Sequence, residues 1–196
     1  MQILLETQRI RLRQFTSADA DPLFRLDNNP EVMRYINGGT PTSRSIIEND
    51  ILPVFCRYDG CFGVWVAELK VTNEFIGWFS LRLTDDIGNE AALGYRLNRA
   101  TWGKGYATEG VQALICQGFT TWGLHRIVAT TYEENQASRR VMEKVGMELV
   151  HCFRLTPEDI LNADTYHTDN SEVWDGDDMM YAIEKDVWKG LSSSNF

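Results

Sequence analysis

Three β-rich runs in the middle of the chain constrain the fold most. They cover residues 62–69 (FGVWVAEL), 75–83 (FIGWFSLRL) and 90–97 (EAALGYRL), and only short polar segments separate them. Runs of this length joined by short turns are typical of neighbouring antiparallel strands. The sequence therefore predicts an antiparallel meander here.

The segment before the meander predicts one strand and three helices. Residues 9–13 (RIRLR) alternate charged and apolar side chains, which is the period of a strand with one wet face. A helix is expected over about 17–28, a second from Pro30, and a third capped by Thr42. Helices and strands therefore share this part of the chain.

After the meander, helices and strands alternate. The apolar spacing over 105–122 predicts an amphipathic helix closed by Gly123, and 125–132 (HRIVATTY) predicts a strand. Asn135 caps the next helix and Gly146 ends it. Two closing strands, joined by a long polar loop, are expected in MELVHCFRL (147–155) and DDMMYAIEKDVW (177–188).

Length and charge limit the class of protein. The 196 residues, 43% of them hydrophobic, suit one domain over residues 1–190, with residues 191–196 as a frayed tail. A net charge of −9 without any basic run argues against nucleic-acid binding. The acidic surface either attracts cationic amines or only keeps the protein soluble.

The cysteines and the N-terminus exclude further classes. The four cysteines are widely spaced and form no CxxC pair, so neither a disulfide framework nor a metal site is expected. Charges interrupt every apolar stretch of MQILLETQRIRLRQF, and no apolar run approaches the ~18 residues of a membrane span. We therefore expect a cytoplasmic protein without a membrane partner.

The segment YRLNRATWGKGYATEG leads from a strand through Gly103-Lys104-Gly105 directly into a helix. Glycines at such a junction allow a tight turn, and the free amides at the helix start favour an anion such as a diphosphate. A Rossmann fingerprint would need a third glycine where Thr108 stands, and the Walker spacing is not met either. Alone, this GxG motif favours a simple connecting turn over an anion site.

A second motif, EENQASRRVMEKVGM (133–147), resembles the N-x-x-S…K-x-G segment of GNAT acetyltransferases. Together with TQRIRLRQF, NNPEVMRYINGG, FIGWFSLRL and MMYAIEKDVW, it makes the chain similar to the RimJ/RimL type of ribosomal-protein N-terminal acetyltransferases. The resemblance implies an α/β (α+β) GNAT fold. Its mixed, mostly antiparallel sheet of about seven strands would be splayed at its middle, flanked by helices and open to acetyl-CoA.

The resemblance also implies which residues hold acetyl-CoA. The backbone of Leu97 and Arg99 would pair with the pantetheine arm, and Asn135 and Ser138 would lie near the pantetheine and the sulfur. The pyrophosphate would be held by the loop and the start of its helix, at Gly103, Lys104, Gly105, Tyr106, Ala107 and Thr108. Ala100 departs from the Gln or Arg that the family often has there, which removes one side-chain contact.

For the chemistry, the family often uses a tyrosine where this chain has Met142, which cannot donate a proton. The RimL-type resemblance suggests Ser138 as the substitute acid. Glu90, at the start of a central strand, is the candidate base, or else an exposed strand-end charge. These two residues are the catalytic candidates.

The resemblance also implies that the acceptor enters between Tyr35, Asn37 and a C-terminal loop that carries Trp174. An α-amine of a protein or peptide is favoured, because its pKa of about 7.7–8.0 requires a weaker base than a lysine amine at about 10.4. A small amine such as a polyamine, aminoglycoside or amino acid derivative is the alternative, with the acidic cluster at 175–178 either lining its pocket or lying in a solvated loop. A non-catalytic acyl-CoA sensor and a homodimer also stay open.

Overall fold

One mixed sheet of eight strands forms the centre of the computed structural model, which describes residues 2–84, 89–154 and 176–193. The strand order is β1-β2-β3-β4-β5-β6-β8-β7. The strands are β1 Ile3–Glu6, β2 Ile10–Gln14, β3 Gly63–Leu69, β4 Phe75–Leu83, β5 Glu90–Leu97, β6 Arg126–Tyr132, β7 Glu148–Phe153 and β8 Asp178–Glu184.

Helices cover both faces of this sheet. They are α1 Ala20–Asp27, α2 Pro30–Asn37, α3 Arg44–Ile46, α4 Leu52–Phe55, α5 Tyr106–Thr120, α6 Gln136–Lys144 and α7 Lys185–Ser193. A π-helical turn, Ile47–Ile51, joins α3 to α4 without a break. Short 3₁₀ turns lie at Ser17–Asp19 and Arg99–Thr101.

The first five strands pair antiparallel with their neighbours in the chain, which confirms the predicted meander. The sheet has eight strands instead of about seven, because Ile3–Glu6 adds an edge strand. Its sequence, ILLE, lacks the alternation that indicates a strand, and pairing with β2 determines its conformation instead.

The sheet opens between β5 and β6. These two strands run parallel and pair only at Glu90–Arg126, Ala91–Ile127 and Ala92–Val128. Beyond these pairs, β5 continues to Leu97 and β6 to Tyr132. The carboxyl ends of both strands therefore border a gap, and α5 connects the two strands on one face of the sheet.

Two apolar clusters lie on opposite faces. The one on the face of α5 and α6 includes Leu93, Leu97, Val111, Leu114, Phe119 and Met142. The one on the face of α1 to α4 includes Leu23, Leu26, Ile47, Phe55, Val66 and Trp78. In β4, Phe79 and Leu81 belong to the first cluster and Trp78 to the second, so apolar side chains pack on both faces of this strand.

Two local predictions need correction. The final strand ends at Glu184, and from Lys185 the chain is helical, because Trp188 turns back to pack on Phe119 with ring centroids 5.6 Å apart. Ser43, not Thr42, caps the third helix by accepting from the Ile46 amide at 3.3 Å. Either hydroxyl fits the sequence preference for this position.

In the part of the chain that the structure describes, no helix combines the length and the apolarity that crossing a membrane requires. Within the same residues, no group of three or more His, Cys, Asp and Glu side chains is placed to hold a metal ion.

Candidate active site

The backbone of β5 directs a row of amides into the gap. The Asn98 amide donates to the Ile76 carbonyl of β4 at 2.8 Å. The N–H and C=O groups of the even-numbered residues of β5 therefore point toward β4. Peptide groups alternate in direction along a strand. The amides of Leu93, Tyr95 and Leu97 therefore point the other way, and those of Tyr95 and Leu97 lie beyond the last pair with β6.

Two backbone carbonyls at and just after the end of β5 accept hydrogen bonds from Trp102. Trp102 donates its indole Nε1–H to the Leu97 carbonyl at 2.8 Å and its amide to the Arg99 carbonyl at 3.3 Å. The Arg99 guanidinium forms an exposed ion pair with Glu31 at 2.7 Å and stacks on Trp102. At Leu97, the carbonyl is therefore occupied and the amide is the group that faces the gap.

The next segment leads into the N-terminus of α5. Gly103 and Gly105 have φ of 73° and 81°, a left-handed conformation that favours glycine. Gly105 is the N-cap and makes no side-chain capping bond. The amides of the first turn, at Tyr106, Ala107 and Thr108, have no intrahelical acceptor and lie at the positive end of the helix dipole, where an anion is favoured.

Arg9 holds this loop from the β1–β2 connection, a role that the sequence did not reveal. Its Nη1 donates to the Lys104 carbonyl at 2.9 Å, its Nε pairs with Glu109 at 2.6 Å, and its guanidinium lies 4.6 Å from the centroid of the Tyr106 ring. Burial raises the pKa of Glu109, but hydrogen bonds from Thr7 and Arg9 outweigh it and lower the pKa overall. In the sequence, the alternation of residues 9–13 indicates only that one face of the strand is exposed to solvent.

Ser138 lies in the first turn of α6, where two contacts hold it. The Asn135 side chain accepts from the Ser138 amide at 3.2 Å, and Tyr95 Oη shares a hydrogen bond of 2.8 Å with Ser138 Oγ. Burial raises the pKa of Tyr95 to about 12, although the bond to Ser138 opposes the rise. Met142 is 2% exposed and packs in the core, so it presents no polar group to this site.

Glu90 lies at the other end of β5, where the sheet is closed. Its carboxylate pairs with Arg126 at 3.0 Å and accepts from Thr84 Oγ1 at 2.7 Å. Leu97 is seven residues further along the strand, which corresponds to about 23 Å at ~3.3 Å per residue. The structure therefore does not bring Glu90 together with Ser138 at the open end.

Of the acceptor-side candidates, two can be located. Tyr35 stacks on Tyr132, the last residue of β6, with centroids 6.1 Å apart. Asn37 is buried and donates to the Thr40 carbonyl at 3.0 Å, while its Oδ1 has no hydrogen-bond partner among the described residues. Trp174 lies outside those residues.

Asp178 provides a carboxylate at the open end of the sheet. It is the first residue of β8 and pairs directly with Tyr132, so both side chains lie on the face that α2 covers. Burial, and then the charge of Asp177, raises the pKa of Asp178. In the sequence, Asp178 cannot be distinguished from the solvated acidic residues beside it.

A split sheet with free amides on one strand and a helix N-terminus beyond it is the architecture of enzymes that bind a CoA thioester and transfer its acyl group. The model of the acetyltransferase (GNAT) domain matches residues 9–148. The chain belongs to this family, and it is an N-acetyltransferase that uses acetyl-CoA.

Two relatives and one solved structure show the extent of the similarity. An uncharacterized N-acetyltransferase p20 of Bacillus licheniformis is 34% identical over 146 residues, which are 74% of this chain and 82% of the relative. FsC-acetyl coenzyme A-N(2)-transacetylase of Aspergillus fumigatus is 27% identical over 94% of this chain and 77% of its own length. The crystal structure of a GNAT acetyltransferase from Bacillus anthracis superposes with a TM-score of 0.76 at 26% identity, covering 93% of this chain and 98% of that one. The names of these proteins do not place the chain in the RimJ/RimL subgroup, which stays a prediction.

Proposed function

We propose that this enzyme acetylates the α-amine of a protein or peptide N-terminus by direct attack on acetyl-CoA in a ternary complex. The observation that carries the proposal is the position of Ser138. Asn135 accepts from its backbone amide and Tyr95 contacts its hydroxyl, which lies beside the gap, within reach of a strand whose amides face the same gap.

In this proposal, the cofactor follows the edge of β5. The amides of Leu97 and Arg99 bind the pantetheine arm, and Asn135 borders it from α6. The pyrophosphate binds the loop and the first turn of α5, through Gly103, Lys104, Gly105, Tyr106, Ala107 and Thr108. Arg9 supports this binding, because its contact with the Lys104 carbonyl fixes the loop and its ion pair neutralises the Glu109 carboxylate beside the anion site.

The reaction requires an acid for sulfur and a base for nitrogen. The amine attacks the thioester carbonyl, a C–N bond forms, the C–S bond breaks, and the thiolate takes a proton for which Ser138 is the proposed donor. An α-amine is substantially neutral near pH 7.5, whereas a lysine amine at about 10.4 is almost wholly charged. A weak base therefore suffices for the α-amine.

Asp178 is our candidate for that base, in place of Glu90. It lies at the open end of the sheet on the face of Tyr35, while Glu90 is engaged by Arg126 at the closed end. A raised pKa makes the carboxylate a better proton acceptor near neutrality. Tyr35, Asn37 and Trp174 are proposed to border the acceptor.

A small-molecule amine is the second candidate acceptor. The Aspergillus fumigatus relative is named for an acetyl transfer to N(2) of FsC, and it aligns with 94% of this chain. An acyl-CoA sensor would bind acetyl-CoA without turnover. A cytoplasmic location and a homodimer remain predictions.

The test is release of CoA thiol from acetyl-CoA with matched acceptors. The panel contains peptides with a free α-amine and no lysine, the same peptides with a blocked α-amine and one lysine, polyamines, aminoglycosides and amino acid derivatives. We expect release with the free α-amine peptides and about a hundredfold lower kcat in Ser138→Ala. Ser45→Ala, an exposed serine of α3, is the matched control.

Three other results of this assay would change the proposal. Release only with small amines would overturn the N-terminal proposal and support the second candidate. Acetyl-CoA binding without release from any acceptor would support the sensor. Unchanged turnover in Ser138→Ala would remove the serine from the mechanism.

A further inference from the structure

Tyr95 connects the two parts of the sheet at the point where they separate. It belongs to β5, three residues beyond the last pair with β6, yet its hydroxyl reaches Ser138 on α6 at 2.8 Å. Its ring packs on Phe79 with centroids 5.9 Å apart, which holds the phenol in place. The two bonded residues are 43 positions apart in the sequence.

The direction of this hydrogen bond follows from the groups involved. A phenol is a stronger donor and a weaker acceptor than an aliphatic hydroxyl, because its oxygen lone pair is delocalised into the ring. Tyr95 Oη also lies 3.4 Å from the Ser138 carbonyl, so Ser138 presents two acceptors to the phenol proton, with Oγ the nearer. The Ser138 hydroxyl proton is then free to point into the gap.

We propose that Tyr95 is a positioning residue for acetyl transfer, which donates its hydroxyl proton to Ser138 Oγ and so aims the Ser138 proton at the departing CoA thiolate. This inference rests on the proposed function, in which Ser138 is the acid. It adds a residue that acts through Ser138.

The direction of the hydrogen bond assigns Tyr95 this role rather than that of the acid, and the proton balance closes without it. The attacking nitrogen loses one proton and the thiolate gains one, so the transfer consumes none. Ser138 gives its proton to sulfur and regains one from solvent, to which Asp178 passes the proton that it accepts from nitrogen. Tyr95 keeps its own proton throughout, because that proton is directed at Ser138 Oγ rather than into the gap.

The first experiment is a double-mutant cycle on kinetics. We expect Tyr95→Phe, which keeps the ring, to lower kcat about tenfold while the KM for acetyl-CoA stays within about twofold. Combining it with Ser138→Ala should lower kcat no further than Ser138→Ala alone. Tyr58→Phe, a half-buried tyrosine of the other apolar cluster, is the matched control.

A purely structural role for Tyr95 predicts a different pattern. The effects of the two single variants would then multiply, and the KM for acetyl-CoA would rise together with the loss of kcat. Either this pattern or an unchanged kcat in Tyr95→Phe would overturn the proposal.

The second experiment does not depend on turnover. In Ser138→Cys, the pKa of the introduced thiol is measured from the pH dependence of iodoacetamide alkylation, followed by mass spectrometry on the peptide that carries position 138. A donated hydrogen bond stabilises the thiolate, so Tyr95→Phe should raise that pKa by about one unit. Mapping the peptide keeps the signal separate from the four native cysteines.

The two experiments separate the two proposals. A pKa difference without turnover from any amine would refute the proposed function and leave the Tyr95–Ser138 bond established. Turnover that falls in Ser138→Ala, with no pKa difference and no loss in Tyr95→Phe, would refute the role of Tyr95 alone.

Discussion

Arg9 and Glu109 are 100 residues apart in the sequence, and their side chains meet at 2.6 Å beside the glycine loop. The same guanidinium binds the Lys104 carbonyl at 2.9 Å. Glu109 belongs to the first turn of α5, where an acidic side chain would otherwise compete with an incoming phosphate. Arg9 therefore neutralises this carboxylate and fixes the backbone that offers the amides.

Substituting Arg9 should weaken cofactor binding more than it weakens the fold. We expect Arg9→Met to raise the KM for acetyl-CoA about tenfold. Stability should fall by no more than about 1 kcal/mol, because the Arg9 side chain is 43% exposed and such ion pairs are screened by solvent. Steady-state kinetics and thermal unfolding measure the two effects. Arg11→Met, which removes the neighbouring ion pair to Glu6, is the control and should leave KM unchanged.

Substitutions at the two loop glycines can separate the effect of backbone strain from the effect of displacing Arg9. Both have positive φ, but a Cβ at Gly103 would meet nothing within 4 Å, whereas one at Gly105 would lie 3.3 Å from Arg9 Nη2. We expect strain in either variant, Gly103→Ala or Gly105→Ala, to lower the free energy of unfolding by about 1–2 kcal/mol. Gly105→Ala should also raise the KM for acetyl-CoA above that of Gly103→Ala, because its Cβ displaces Arg9. Gly60→Ala, in open space and without positive φ, is the control. Equal KM values for the two loop variants would contradict the role of Arg9.

Asp178 should show opposite effects on stability and activity. Burial and Asp177 raise the pKa of Asp178 in the folded protein, so the stability it contributes is complete below the unfolded pKa and is lost as pH rises through the folded pKa. We therefore expect Asp178→Asn to be more stable than the parent at pH 7, with the difference vanishing at acid pH. Its kcat should fall about tenfold or more if the carboxylate accepts the amine proton.

Chemical unfolding as a function of pH and the pH profile of kcat test this prediction together. Asp186→Asn, an exposed aspartate of α7, is the control and should change neither quantity. An Asp178→Asn enzyme with the parental kcat would leave Asp178 as a structural group only.

Arg13 should be the most costly single arginine of β2 to remove. Its guanidinium pairs with Asp19 at 2.7 Å and Glu68 at 2.6 Å, and all three side chains are at most 9% exposed. Arg13→Met would leave two buried carboxylates without a cation, and we expect a loss of about 3–5 kcal/mol in the free energy of unfolding at pH 7. Arg11→Met, the same substitution two residues earlier on a more exposed pair, should cost less than about 1 kcal/mol.

The pH dependence provides a second check on Arg13. Burial alone would raise the pKa of Asp19, but hydrogen bonds from Arg13 and the Thr16 amide hold it below its usual value. Its stabilising contribution is therefore present above the unfolded pKa and is lost as pH falls through the folded pKa. The deficit of Arg13→Met, measured by urea unfolding, should shrink on acidification. A deficit that is constant with pH would show that lost packing causes it.

The parts of the fold that local pattern determines could be predicted from the sequence. Strands β3, β4 and β5 have hydrophobic runs with turn residues on either side, and their observed limits lie within one residue of the prediction. Helices α5 and α6 are equally clear, because glycines mark their ends. Strand β1 and helix α7 were missed or misassigned, since their conformations depend on pairing with β2 and on packing against Phe119.

The candidate site divides in the same way. The glycine loop and the Asn135–Ser138 turn are contiguous motifs, so their residue types alone indicate a chemistry. Arg9 and Tyr95 act through contacts that span 95 and 43 residues, and in the sequence they are indistinguishable from a surface arginine and a core aromatic. Glu90 lies at the end of β5 that is away from the candidate site. The sequence of the strand does not show which of its ends borders the gap.

The position of β8 determines when this sheet can be completed during synthesis. Although it is the last strand in the chain, β8 lies between β6 and β7 and pairs with both. Until residues 178–184 have left the ribosome, β6 has one open edge and β7 has no partner in the sheet. The β1–β5 meander can form as it emerges, because each of its strands pairs with the one before it. The nascent enzyme therefore completes the β6 side of its cleft only after β8 has emerged.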